Sequence, residues 1–313
     1  MIAVGNVNMD LTVRLERFPG PDEKLVAEDF YLSLGGAATN FSLACVKLGL
    51  SCGLVACVGL DQLGRMALRE LEERGLDVSH VKTCPDAPTG MALILWAGDV
   101  RGLVSCRGAN DKLSPLDLDE DYLSSARLVL GASLRLEVAE ALARACHRGQ
   151  ILILDPGGTL ARHGLEELRA FLEDVDVFTP NEVELTRITG LEDLKEAIRA
   201  LWSAGPKLVI VKAGPRGCFL YDGEDLIHLK ALRPPELVDP TGAGDAFNAG
   251  LALGLLRGLK PVEAARLGIA LATLKLGRKG ASNMPGIGEL RSFLARLGWL
   301  DLLKALGSRT VSP

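Results

Sequence analysis

Asp239-Pro240-Thr241-Gly242-Ala243-Gly244-Asp245-Ala246-Phe247 joins an apolar, Pro-containing approach, residues 232–238, to a long apolar run, residues 248–256, that predicts a helix. Two glycines leave backbone N–H groups bare where that helix begins. A helix N-terminus carries about half a positive charge and unpaired N–H donors, so this is a place to hold an anion, most often a phosphate. The carboxylate of Asp245 is out of keeping with a pure phosphate cradle. It suits a cradle that must also take a proton from an attacking hydroxyl.

The rest of the chain limits the alternatives. With 313 residues, 48% of them hydrophobic, a large core is affordable. A net charge of −5 and the lack of a long basic run argue against nucleic acid or a membrane surface as partner. No charge-free apolar run reaches membrane-spanning length. The start, Met1-Ile2-Ala3-Val4-Gly5-Asn6, lacks the basic and small-residue features of a signal peptide. The 7 cysteines are odd in number and form no Cys-x-x-Cys, which predicts free thiols, a reducing compartment and a cytoplasmic location. The 4 scattered histidines make a structural zinc site a poor expectation.

Residues 2–5 predict a first strand ending in a polar turn, Asn6-Val7-Asn8-Met9-Asp10. Such a turn at a strand's carboxyl end is either a ligand edge or an ordinary Asn/Asp turn. Strands are expected at 11–15 and 25–32, then Gly35-Gly36 entering a helix that closes at Gly49. A strand at 52–58, an amphipathic helix at 65–74, a strand at 78–83, and a hairpin of 91–96 with 103–106 around Gly98–Gly102 follow. Strands at 128–130, 151–154, 175–178 and 208–211 then alternate with helices at 137–147, 165–172 and 182–188. After Asp245 the chain predicts helices at 246–256, 261–276 and 289–296. Near-continuous apolar strands alternating with helices indicate an α/β fold with a mostly parallel sheet covered on both faces. One domain over 1–313 is expected, with the early strands forming a separate small sheet.

Three nucleotide signatures are absent. There is no Gly-x4-Gly-Lys-Ser/Thr loop and no protein-kinase motif set, and Gly242-Ala243-Gly244 has Phe247 where a dinucleotide fingerprint needs its third glycine. A dehydrogenase is not expected.

Asp239–Phe247 matches, residue for residue, the C-terminal signature of the ribokinase-like (PfkB) carbohydrate kinases, which this chain resembles. Gly35-Gly36 with Asn40 is similar to that family's N-terminal glycine signature. Gly59-x-Asp61-x-x-Gly64, Pro180-Asn181-Glu182-Val183-Glu184, Lys212-Ala213-Gly214-Pro215-Arg216-Gly217 and Gly280-Ala281-Ser282-Asn283-Met284-Pro285 follow in the family's order. The resemblance covers essentially the whole chain and implies a sugar or nucleoside kinase with a small β-sheet lid, here about 11–32 and 89–108.

The resemblance also implies roles. Asp245 would be the general base, and the N–H groups of Gly242, Ala243 and Gly244 an anion hole for the transferring phosphoryl. Asn181 and Glu184, one helical turn apart, would help hold Mg²⁺ through water; by residue type alone they also read as a helix entry with a solvated glutamate. Lys212, Gly214 and Gly217 would meet the phosphates of ATP or ADP. Ile269, with Ala270 and Thr273, would wall the adenine, although these are equally good core residues. Asp239 and Thr241, with the Ala281–Ser282 loop, resemble a monovalent-cation (K⁺) site. Asn8, Asp10, Gly35, Gly36, Asn40 and Asn110 match positions that bind sugar hydroxyls. The lid would exclude water and pair with a second lid in a homodimer.

One departure bears on the acceptor. Ribokinases proper carry a lysine where Ala37 stands in Gly35-Gly36-Ala37-Ala38-Thr39-Asn40. The segment is closer to nucleoside-accepting members. Arg107 and Arg135 offer an alternative, contacts to the phosphate of ribose-1-phosphate or a fructose phosphate. Ketodeoxygluconate, and a non-catalytic sensor on the same fold, complete the alternatives.

Overall fold

A computed structural model describes residues 1–98, 100–146 and 149–307. Asp99 of the expected hairpin turn, His147 at the end of the expected 137–147 helix, and the 308–313 tail lie outside the described residues. The strands in chain order are β1 (Ile2–Gly5), β2 (Asn8–Leu15), β3 (Asp29–Gly35), β4 (Gly53–Gly59), β5 (Asp77–Cys84), β6 (Gly90–Ala97), β7 (Val100–Cys106), β8 (Leu128–Ala132), β9 (Ile151–Asp155), β10 (Val177–Phe178), β11 (Leu208–Lys212), β12 (Cys218–Tyr221) and β13 (Ile227–Leu229).

One sheet runs β13-β12-β11-β10-β9-β8-β1-β4-β5. It is parallel from β5 to β11 and ends in two antiparallel strands. Its central strands are apolar throughout because helices cover both faces. Alternate residues enter two separate cores. Ala3, Leu54, Ala56, Val58, Leu128 and Leu130 pack with the helices Ala37–Lys47, Ala243–Leu256 and Pro261–Leu276. Ile2, Val4, Val55, Cys57, Val129 and Leu152 pack on the opposite side with Leu136–Ala145, Leu165–Leu172 and Leu194–Trp202.

The second sheet runs β3-β2-β6-β7. The chain leaves β1 at Gly5 and enters β2 at Asn8, so the expected Asn6–Asp10 turn is reduced to two residues. Asn8 already pairs with Gly35 on one side and Gly90 on the other, which makes Asn8 and Asp10 strand residues. The expected 25–32 strand starts later, at Asp29, where pairing with Arg14 begins. Helix Leu194–Trp202 escaped the sequence reading despite a capping signal: Asp193 accepts the N–H groups of Lys195 and Glu196, each at 2.9 Å.

The helix that carries Asp245 is pinned by a close crossing. Ala243–Leu256 and Pro261–Leu276 meet through glycines rather than side chains. A Cβ at Gly250 would lie 2.6 Å from the Leu267 carbonyl oxygen, one at Gly254 2.6 Å from the Ala264 Cα, and one at Gly268 2.8 Å from the Phe247 carbonyl oxygen. Gly250→Ala should therefore force the helices apart, costing about 1–3 kcal/mol as overpacking does. Thermal unfolding would register this as a lowered midpoint; an unchanged midpoint would show that the crossing has slack.

Candidate active site

The parallel strands end on one edge, where open α/β sheets bind ligands. β9 delivers Asp155 there and β11 delivers Lys212. The Lys212 ammonium donates to the Asp155 carboxylate. Asn248 Nδ2 donates to the same carboxylate at 2.6 Å. Asn248 lies three residues beyond Asp245 on one helix face, so this bond orients the helix start. Burial works to lower the Lys212 pKa, but the carboxylates of Asp155, Glu184 and Asp245 outweigh it, and the net direction is upward.

Asp245 sits in the first turn of Ala243–Leu256, which opens at Gly242 in the left-handed conformation (φ 82°). A Cβ at Gly242 would lie 2.4 Å from the Ala281 carbonyl oxygen, so glycine lets the two loops touch. Among the described residues no protein acceptor takes the Gly242 or Gly244 N–H, whereas Ala243 N–H donates to the Pro240 carbonyl at 3.2 Å. Asn40 Nδ2 donates to Asp245 Oδ2 at 2.8 Å across 205 positions of sequence. Burial pushes the Asp245 carboxyl up to about 6; the Asn40 bond pulls down, the Asp155 charge pushes up, and Lys212 and Lys275 pull down.

Asp10 lies on β2 facing the same space. Burial raises its pKa to about 7, against a backbone N–H from Ala92 and with a further push from the Asp245 charge. Its Oδ1 is buried with no hydrogen-bond partner. Asn40 Oδ1 and Asn248 Oδ1 are orphaned in the same way. Buried polar atoms without partners are uncommon in folded proteins and point to a missing ligand or water. Gly35 is needed here because a Cβ would overlap the Asp10 carboxyl group. Gly36 (φ 97°) opens helix Ala37–Lys47, and a Cβ on it would lie 2.6 Å from the Asn6 carbonyl oxygen.

Other predicted residues have structural partners. Asn110 Oδ1 accepts Val7 N–H at 2.9 Å and its Nδ2 donates to Asn8 Oδ1 at 2.8 Å, stitching the entry to β2. Asp61 of the Gly59-x-Asp61-x-x-Gly64 motif accepts Gly64 N–H at 2.7 Å, Thr89 N–H at 2.7 Å and the Thr89 hydroxyl at 2.6 Å. That anchors the entry to β6. Asn181 and Glu184 form a reciprocal capping box on helix Glu182–Thr189, with bonds of 2.8 and 2.9 Å. Glu184 is nonetheless raised, by burial and then by the Asp155 charge.

Gly214 (φ 52°) begins a short 3₁₀ turn after β11. Gly217 (φ 96°) lets the backbone pass against Leu229 and Ala231. Ile269 is buried in the core, and Thr273 Oγ1 donates back to its carbonyl at 2.7 Å. Asp239 accepts the N–H groups of Thr241 at 2.9 Å and Gly280 at 3.0 Å, tying two loops together. The Thr241 hydroxyl accepts from Arg101 at 3.0 Å. Arg107 is bonded to Asp111 at 2.5 Å and to Thr159 at 2.6 Å, and Arg135 to Glu137 at 2.7 Å and the Leu113 carbonyl at 2.9 Å. Arg107 is thus engaged within the protein, whereas Arg135 Nε is buried without a hydrogen-bond partner among the described residues.

Asp155 and Asn248 were not singled out by sequence. A carboxylate ending an apolar strand, and one of the scarce asparagines on the Asp245 face of its helix, were the available signals.

Comparison with known proteins identifies the family of the chain. Residues 1–286 match the model of the pfkB family carbohydrate kinases. The chain is 31% identical to a ribokinase of Arabidopsis thaliana, over 95% of this chain and 80% of that protein. It is 30% identical to a nucleoside kinase of Methanothermobacter thermautotrophicus, over 96% and 97% of the two chains. The structure of Arabidopsis thaliana ribokinase complexed with ribose and ATP is similar with a TM-score of 0.82 at 28% identity, covering 97% of this chain and 98% of the other. The chain belongs to the pfkB family of carbohydrate kinases, and it is a phosphotransferase that acts on a hydroxyl acceptor.

Proposed function

We propose that this kinase moves the terminal phosphate of an adenine nucleotide to a hydroxyl of a ribosyl sugar or nucleoside, with Asp245 as general base. The carrying observation is the Asp245 carboxyl at a helix N-terminus, held by Asn40 and raised to about 6. Asn40 occupies Oδ2, which leaves Oδ1 to accept the acceptor proton. The freed oxygen attacks the terminal phosphorus, the bond to the nucleotide's bridging oxygen breaks, and the proton rests on Asp245. The open N–H groups of Gly242 and Gly244 and the helix dipole stabilise the charge on the transferring group. Lys212, beside Gly244, adds a positive charge at the same place.

Burial and then the Asp155 charge raise Glu184; a cation would relieve that repulsion, so Glu184 and Asn181, with Asp155 nearby, fit a hydrated Mg²⁺. The ion, when bound, would neutralise charge on the nucleotide phosphates. ATP as donor is supported by the ATP complex of the similar ribokinase. Ala37 in place of a lysine, and the engagement of Arg107 by Asp111 and Thr159, favour a nucleoside or free ribosyl acceptor over a phosphosugar. The free thiols support a reducing, cytoplasmic setting. Among the described residues no helix is long and apolar enough to cross a membrane.

The second sheet serves as lid. Arg101 on β7 reaches Thr241, and Lys279 reaches Asp29 at 3.0 Å, so the sheet is latched over the site from two sides. Its outer face carries Leu32, Leu11, Leu93 and Val104 in one cross-strand row, and Phe30, Val13 and Leu95 in the next. Phe30 is 71% exposed. An apolar face of this kind fits a second copy of the lid.

Three measurements test these assignments. Asp245→Asn should lower kcat by about 10²–10⁴-fold with little change in substrate affinity, and the wild-type rate should fall as pH drops through about 6, where the carboxylate is protonated. Unimpaired turnover in the variant would remove Asp245 from the role of base. Asp10→Ala should raise the acceptor KM far more than the nucleotide KM; equal losses would mean that Asp10 does not face the acceptor. In sedimentation the wild type should run as a dimer and Leu93→Lys as a monomer, and a monomeric wild type would exclude lid pairing.

A further inference from the structure

Lys275 is the one lysine with no exposed surface among the described residues, and neither the phosphoryl chemistry nor the packing accounts for it. It lies near the end of helix Pro261–Leu276, four residues after Leu271 and in phase with its buried face. Among the described residues its ammonium makes one hydrogen bond, from Nζ to the Arg278 carbonyl at 3.1 Å. Burial lowers its pKa, while the carboxylates of Asp239 and Asp245 oppose that loss and Arg278 adds to it. The same ammonium lowers the pKa of Asp245. Arg278 itself is committed outward, to Glu289, Asn283 and the Met284 carbonyl.

These contacts place a fixed positive charge under the turn that leads into the anion hole. Asp239 spans that turn, accepting from Thr241 and Gly280, and its own N–H donates to the Leu276 carbonyl at 3.1 Å, next to Lys275. Gly242 rests against the Ala281 backbone of the second loop. A monovalent cation at Asp239 and Thr241 would therefore enter a loop pair beside which a buried ammonium already lies, close enough for its charge to interact with the same carboxylate. The residues do not fit a second cation there, because like charges in a desolvated space repel strongly.

We propose that Lys275 is a built-in cation of this site, a positioning residue that neutralises the Asp239 turn and sets the Gly242–Gly244 N–H groups, so that the enzyme works without a bound monovalent cation. The catalytic consequence rests on the kinase reading above; the electrostatic one does not.

The test compares the full-length wild type with Lys275→Met, which keeps the length and apolar stem but removes the charge. Rates and thermal midpoints are measured in K⁺, in Na⁺ and in tetramethylammonium at equal ionic strength. The wild type should show the same rate and midpoint in all three. Lys275→Met in tetramethylammonium should lose about tenfold or more in kcat, equivalent to about 1.4 kcal/mol, and should regain part of it in K⁺. Its midpoint should rise in K⁺, as expected when an ion binds only the folded state. A purely packing role for Lys275 would give a deficit that no cation repairs. A wild type activated or stabilised specifically by K⁺, or a variant indifferent to the cation in both readouts, would overturn the proposal. Should no acceptor support turnover, the midpoints alone decide it, so failure of the kinase reading stays distinguishable. Lys275→Arg, which retains a charge, should remain cation-independent if it folds.

Discussion

Carboxyl groups outnumber ammonium groups at the centre of this molecule. Asp10, Asp155, Glu184, Asp239 and Asp245 converge there, with Lys212 and Lys275 as the buried cations beside them. Two unit charges about 5 Å apart interact by about 3 kcal/mol at an effective dielectric of about 20. An imbalance of this kind must be met by protonation, by hydrogen bonds or by ligands. All three responses are visible: Asp10 is raised to about 7 and Asp245 to about 6, Asp155 is saturated by Lys212 and Asn248, and the orphaned oxygens of Asp10, Asn40 and Asn248 mark where a ligand's donors would fit.

That convergence requires backbone segments to approach more closely than side chains allow. Gly35 leaves room for the Asp10 carboxyl, Gly90 for the Asn8–Asn110 bond, and Gly242 for the Ala281 carbonyl. Gly250, Gly254 and Gly268 bring the Asp245 helix down onto its neighbour. The paired glycines at 35 and 36 therefore have distinct causes. Gly36 needs a positive φ, whereas Gly35 needs only the absence of a Cβ. A ligand-contacting role for either is additional to these demands.

The alternation of strands and helices was legible because the central strands are apolar on both faces, while an outer helix such as Gln62–Glu73 buries one face and Ala243–Leu256 is apolar almost throughout. The signature at Asp239–Phe247 was legible because a helix start with bare N–H groups and a carboxylate is an unusual local combination. Asp155 was not, because its partners Lys212 and Asn248 lie 57 and 93 positions away. The same holds for Lys275, whose meaning depends on a loop that reaches it from Asp239. The short strands β12 and β13 at one end of the sheet were missed for a different reason: 4 and 3 residues carry too little periodicity to register. The Asn181–Glu184 pair shows how one motif serves two ends, since the bonds that cap the helix also hold Glu184 near Asp155.

Strand β2 links the chemistry to the outer surface. Successive side chains on a strand point to opposite faces. Asp10 and Thr12 are buried on the inner face, while Leu11 and Val13 join the apolar rows on the outer one. A slip of one residue would exchange the two sets, turning the carboxyl outward and the leucine into the site. The register is held at its root, where Asn110 bonds both Val7 and Asn8 and where Asp61 fixes Thr89 at the start of β6. The strand that positions Asp10 is thus the same one that presents Leu11 and Val13 on the outer face. The lid pairing and the acceptor binding proposed above both depend on that single register.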